Sequence, residues 1–248
     1  MRRALMRIDT LLRGGFTERE VLREGRVAVA VPDLSVAAVP LGVAYGLFMG
    51  LYAVLRGGPG SGLQLLATAL KVPFLFLLTL LVTLPSLYVL SALARSRLSF
   101  THTVRLLLAA VTVNLALLAS LGPVTAFFTL STESYPFMIL LNVAFFAISG
   151  LVGLGFLRKA LDIVFEPEPA GGKPAGDNVA AAALRGASQP DPAGRVFGAW
   201  TLTYAVVGAQ MGWILRPFIG APSEPFQWFR ERQSNFFVVV WESFLRLF

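Results

Sequence analysis

The sequence predicts an all-α membrane protein, a polytopic helix bundle of five transmembrane helices with interfacial amphipathic helices at both ends. Three observations carry that prediction. Of 248 residues, 56% are hydrophobic and only 14% are charged, against about 25% charged in ordinary soluble domains. Five stretches, 34–55, 72–94, 106–132, 134–157 and 196–215, run without a single charge, each near or above the roughly 20 residues a helix needs to cross a bilayer core. Arginines gather in alternate segments between these stretches. Such a composition excludes a soluble globular chain and a disordered one. A β-barrel would also satisfy backbone polar groups in lipid, but its strands alternate apolar and polar residues. Residues 74–81 and 106–118 are apolar almost throughout, which suits helices.

Taken in order, residues 1–33 read as a cytoplasmic amphipathic segment. Thr17 and Glu20 have the spacing of a capping box, and Gly25 is placed to end that short helix. Residues 34–165 hold four spans. The first is retained rather than cleaved, because the apolar run starts only after Asp33 and no small-residue cleavage pattern follows. Gly57, Gly58, Pro59 and Gly60 make a turn into the second span. Pro40, Pro73, Pro85 and Pro123 fall inside predicted helices, where each removes a backbone donor and favours a kink. Residues 166–194, rich in Pro, Gly and Ala, read as a flexible linker. A fifth span follows at 195–217. The tail, 218–248, is too broken by charge to cross again, and its dense aromatics with interspersed arginines suit a helix lying along the headgroups.

Orientation follows the arginines. Arg2, Arg3, Arg7, Arg13, Arg19, Arg23 and Arg26 precede the first span, Arg95, Arg97 and Arg105 follow the second, and Arg158 and Lys159 follow the fourth. The alternate turns hold little beyond Arg56. The N-terminus is therefore expected in the cytoplasm and the C-terminus on the opposite face. The net charge of +7 reads as topology signal and attraction to anionic membrane lipids. No fold motif surrounds the dispersed basic residues, so nucleic acid is not an expected partner.

Several residues stand out within the spans. Gly42, Gly46 and Gly50 form a four-residue ladder in the first, and Gly208 and Gly212 repeat the spacing in the fifth. Such ladders let helices approach closely, within one chain or between copies. Lys71 is the charge nearest a membrane core, expected to snorkel to the interface. Asn114, Asn142 and Gln210 are expected to bond between helices, or to line a polar path. In the motif Arg216, Pro217, Phe218, Ile219, Gly220, the arginine marks the membrane exit, Pro217 stops the helix and Gly220 permits a turn.

Catalytic and metal chemistry have little to stand on. Cysteine is absent, and His102 is the single histidine. Disulfides, cysteine nucleophiles and a histidine cluster within the chain are thereby excluded. No span contains Asp or Glu, and no Gly-x-Ser-x-Gly, His-Glu-x-x-His or phosphate-binding glycine loop occurs. The expectation is a non-enzyme without a cofactor.

Two stretches carry a resemblance. One runs from Leu70-Lys71-Val72-Pro73 through Leu84-Pro85-Ser86-Leu87-Tyr88 to Pro123-Val124-Thr125-Ala126-Phe127-Phe128 and Ser134-Tyr135. The other runs from Gly208-Ala209-Gln210-Met211-Gly212-Trp213 through Arg216-Pro217-Phe218-Ile219-Gly220 to Pro225-Phe226, Phe229-Arg230 and Ser234-Asn235-Phe236. Together, over most of 34–157 and 196–240, the chain resembles a group of uncharacterised bacterial multi-span inner-membrane proteins. Its plan is similar to the five-span Yip1 family, although the Asp-x-x-Gly-Pro-type motif of that family is not visible. The resemblance implies a bacterial inner membrane, a cytoplasmic N-terminus and a non-catalytic adaptor or complex subunit. Membrane lipids, other membrane proteins or a second copy would be its partners. Some proteins of this look are labelled actin-binding WH2 proteins. Only Leu70-Lys71-Val72 echoes that motif, at the mouth of a span where actin does not reach. The rival expectation is a small transporter or channel with a path lined by Asn114, Asn142 and Gln210.

Overall fold

The computed structural model describes residues 31–57, 59–93, 100–165, 192–221, 225–229 and 235–247. Nearly all of the expected N-terminal amphipathic segment and of the expected linker lies outside them. Every regular element among the described residues is helical: α1 (Val31–Leu55), α2 (Ser61–Leu93), α3 (Phe100–Ser131), α4 (Tyr135–Phe165), α5 (Pro192–Ile214) and α6 (Phe236–Leu245). Four contain stretches long and apolar enough to cross a membrane: Leu34–Leu55, Ser61–Val89, Phe100–Ser131 and Tyr135–Leu161. The 23-residue α5 is not among them. Thr201, Thr203, Tyr204 and Gln210 dilute its apolar character.

α1 and α2 pack antiparallel at backbone distance, and glycine makes this possible. A Cβ built on Gly42 would stand 2.9 Å from the Pro73 Cβ. On Gly46 it would stand 2.7 Å from both the Ala69 Cα and the Thr68 carbonyl oxygen, and on Gly50 it would stand 3.0 Å from the Leu65 Cα. The ladder is thus used inside the chain, each step of four on α1 meeting a step of about four on α2. Helices α1, α2 and α3 continue through their prolines.

α3 is the central helix. It packs on α1, α2 and α4, and every residue from Leu106 to Leu115 is buried. An α-helix buried all round in this way needs no amphipathic stripe. The outward faces are apolar instead: Leu81, Phe127, Leu130, Leu151 and Leu202 are each more than 60% exposed. Patches of that kind are rare on soluble monomers and normal against lipid.

Polar side chains inside the bundle bond across helices. The Tyr45 hydroxyl of α1 donates to Asn142 Oδ1 of α4 at 2.7 Å, and Asn142 Nδ2 donates to the Met138 carbonyl at 2.8 Å. The Trp200 indole of α5 donates to the Thr83 carbonyl of α2 at 3.2 Å. Tyr45→Phe leaves Asn142 Oδ1 without its donor in a dry interior. We expect a stability loss of about 1–2 kcal/mol, measured by denaturant titration in mixed micelles. No loss would mean the oxygen finds another donor.

The two hairpin turns at one end are clasped together. Arg56, after α1, donates to Glu133 Oε1 at 2.9 Å and to the Thr132 carbonyl at 2.7 Å, and the Tyr52 hydroxyl donates to the Glu133 carbonyl at 2.7 Å. The ion pair itself is exposed on the Glu133 side and contributes little. The carbonyl contacts do more, because they satisfy the orphan acceptors at the C-terminus of α3.

Candidate functional site: a strapped tail beside an apolar crevice

Three polar side chains share one face of α2 at the same end of the bundle. Gln64, Thr68 and Lys71 are spaced by four and three residues, and all three are buried. That spacing stacks side chains one above another on a helix. All three reach the segment after α5. Gln64 Nε2 donates to the Phe218 carbonyl at 2.9 Å and to the Pro217 carbonyl at 3.1 Å. The Thr68 hydroxyl contacts the Phe218 carbonyl. Lys71 Nζ donates to the Pro217 carbonyl at 3.1 Å and to the Trp228 carbonyl, and lies 5.2 Å from the centre of the Phe229 ring.

Lys71 therefore departs from the snorkelling expectation. At 4% exposure it turns inward, because the non-helical segment after α5 brings the Pro217 and Trp228 carbonyl oxygens to it. Neither Gln64 nor Thr68 stood out in the sequence. Their four-and-three spacing with Lys71 is the signal that finds them.

The tail motif sits where this strap requires it. α5 ends at Ile214, two residues before Arg216, whose guanidinium stacks on the Trp213 ring at 3.6 Å. Pro217 follows through a cis peptide bond. Gly220 has φ +75°, and a Cβ there would meet Gln64 Cγ at 2.8 Å and Ala53 Cβ at 3.2 Å. Glycine is required on both counts. The loop therefore turns back onto α1 and α2. Beyond it, Phe226 packs over Gly60, and α6 docks on α4 and α5 with Asn235 as its N-cap. Trp228, Phe229, Phe237, Trp241 and Phe244 stay exposed, at 45–61%.

Between α2, α4 and α5 lies an apolar crevice of about 790 Å³, with α6 along its side. Gly208 and Gly212 face it. A Cβ on Gly212 would meet nothing within 4 Å, and one on Gly208 only the Thr79 methyl at 3.6 Å. The second glycine pair thus opens onto space where the first closes on a helix.

Two of the three amides, Asn114 and Asn142, line the crevice, and Gln210 does not join them. Asn142 is held by Tyr45. Asn114 lines the inner end of the crevice, its Oδ1 buried without a partner. Gln210 is half-buried and lies outside the crevice lining. Among the described residues, no group of three or more His, Asp or Glu side chains comes together as a metal site.

Fold and site together define a class, an all-helical protein with four helices fit to span a membrane and a tail strapped back onto them. No protein-family model, curated protein or solved structure matches the chain.

Proposed function

We propose that this chain is a non-catalytic scaffold or complex subunit of a bacterial inner membrane, a Yip1-like adaptor that presents its C-terminal tail to partners. The observation that carries the reading is the strap. Three buried donors on α2 hold the loop that bears Trp228 and Phe229, while their rings stay exposed. Exposed aromatics on a fixed backbone suit docking, because little ordering entropy is lost when they bind.

The fifth span belongs to the same reading. Its support is that α5 lies alongside α2, with Trp200 against Thr83 at one end and Pro217 against Gln64 and Lys71 at the other. It therefore covers the same depth as a candidate span, in the opposite direction. On this reading the N-terminus is cytoplasmic and the tail lies on the far face, with the arginine asymmetry as support.

The absence of cysteine makes the test clean. Single cysteines at Ser188 and Gln227 are expected to react with an impermeant maleimide from opposite faces. A photo-crosslinker on Gln227→Cys is expected to trap one discrete protein partner. Labelling from the same face removes the fifth span, and trapping of lipid alone removes the scaffold.

A further inference from the structure

We propose that the crevice between α4 and α5 is a binding site for one phospholipid, with an acyl chain along its length, an ester carbonyl on the Trp213 indole and the phosphate near Arg216. The proposal goes beyond the scaffold reading and does not depend on it.

Shape comes first. Along α4 the lining runs from Tyr135 to Leu154, a rise of nineteen steps or about 28 Å of helix, nearly the thickness of a bilayer core. α4 is also the least buried of the four candidate spans. The crevice thus lies at hydrocarbon depth beside a helix that faces the bilayer, where the surrounding medium is lipid. Its volume of about 790 Å³ falls in the range of ligand sites, roughly 300–1,000 Å³. Ala147, Gly150, Ala205, Gly208 and Gly212 keep its walls thin.

Polar groups fix the orientation. Trp213 lines the crevice at 7% exposure, and its Nε1–H has no acceptor among the described residues. An indole donor left unmade in a dry site is costly. Indole N–H groups at membrane interfaces find acceptors at headgroup level. Arg216, stacked on that same ring, brings positive charge to the same mouth of the crevice. An ester carbonyl with a phosphate a few bonds away answers both groups. Tyr204 stands nine residues back along α5, about 13 Å deeper, and the path between is apolar.

The inner end has its own solution. Asn114 and Tyr204 both line a second, small cavity of about 20 Å³, enough for one water. A water there would satisfy Asn114 Oδ1 without the lipid. A transmembrane helix is the other apolar occupant to consider. α6 bridges α4 and α5 and lines the same space, so a helix 10–12 Å across has no straight path, whereas a flexible chain does.

The test uses the full chain, purified in mild detergent, stripped of lipid and titrated with dioleoylphosphatidylglycerol under native mass spectrometry. One lipid per chain is expected. Gly212→Leu and Gly150→Leu fill the crevice from opposite walls, and neither new side chain starts from a Cβ with a neighbour within 4 Å. Each is expected to cut occupancy at least tenfold. The diether analogue, which lacks the carbonyl, should bind the native chain several-fold more weakly than the diester. Trp213→Phe should erase that preference. Unchanged occupancy in both leucine variants, equal binding of diester and diether, or a retained polypeptide in place of lipid overturns the proposal.

Discussion

Gly46→Leu is expected to abolish the α1–α2 hairpin and with it most folded protein. The new Cβ alone would sit 2.7 Å from the Ala69 Cα and the Thr68 carbonyl oxygen. Both are backbone atoms of a helix, so neither can rotate aside. Relief requires the two helices to separate along their whole contact, which opens the packing at Gly42 and Gly50 as well. Overpacking a dense core typically costs about 1–3 kcal/mol. Here several layers are lost at once, and dispersion between close backbones is a main source of helix association in lipid. The measurement is the fraction of monodisperse protein after detergent extraction, expected to fall at least tenfold. Gly62→Leu is the control, since a Cβ at Gly62 meets nothing within 4 Å. Equal yields for the two variants would refute a close α1–α2 contact.

Lys71→Met is expected to release the tail while leaving the bundle folded. Methionine keeps much of the volume and supplies no donor. The Trp228 carbonyl then loses its ammonium donor, while the Pro217 carbonyl keeps Gln64 Nε2 at 3.1 Å. An acceptor left unmade costs about 1–3 kcal/mol, a loss confined to this loop. Limited trypsin digestion reads it directly, because Arg230 and Arg232 lie in the tail between Phe229 and α6. Cleavage there is expected to accelerate at least tenfold. Lys159→Met, on an exposed side chain, should leave the rate unchanged. If Lys71→Met also leaves it unchanged, Gln64 and Thr68 suffice to hold the loop.

Much of the bundle was legible because span composition is a local property. The charge-free run 34–55 became α1, and the turn at Gly57 and Gly60 falls where the glycines and proline put it, with φ of +70° and +77°. α2 extends beyond its charge-free run at the near end, because Gln64, Thr68 and Lys71 are satisfied by carbonyls rather than by water. That partner is about 150 residues away in sequence, and no local pattern announces it. The same limit applies to the glycines. Gly42 and Gly46 share their spacing with Gly208 and Gly212, yet one pair closes on a helix and the other faces a void. Spacing permits close approach and does not supply the neighbour. The crevice was wholly illegible, since it is a gap between helices that are far apart in the sequence.

The strap also orders events at the ribosome. Gln64, Thr68 and Lys71 emerge early, whereas their acceptors follow roughly 150 residues later. At about 5–20 residues per second, the α1–α2 hairpin waits on the order of 10 s before its last partner exists. Throughout that interval a buried-to-be ammonium needs water or an insertion factor beside it. A chain that stops before Pro217 never completes the lock, because the carbonyls that close it have not been made.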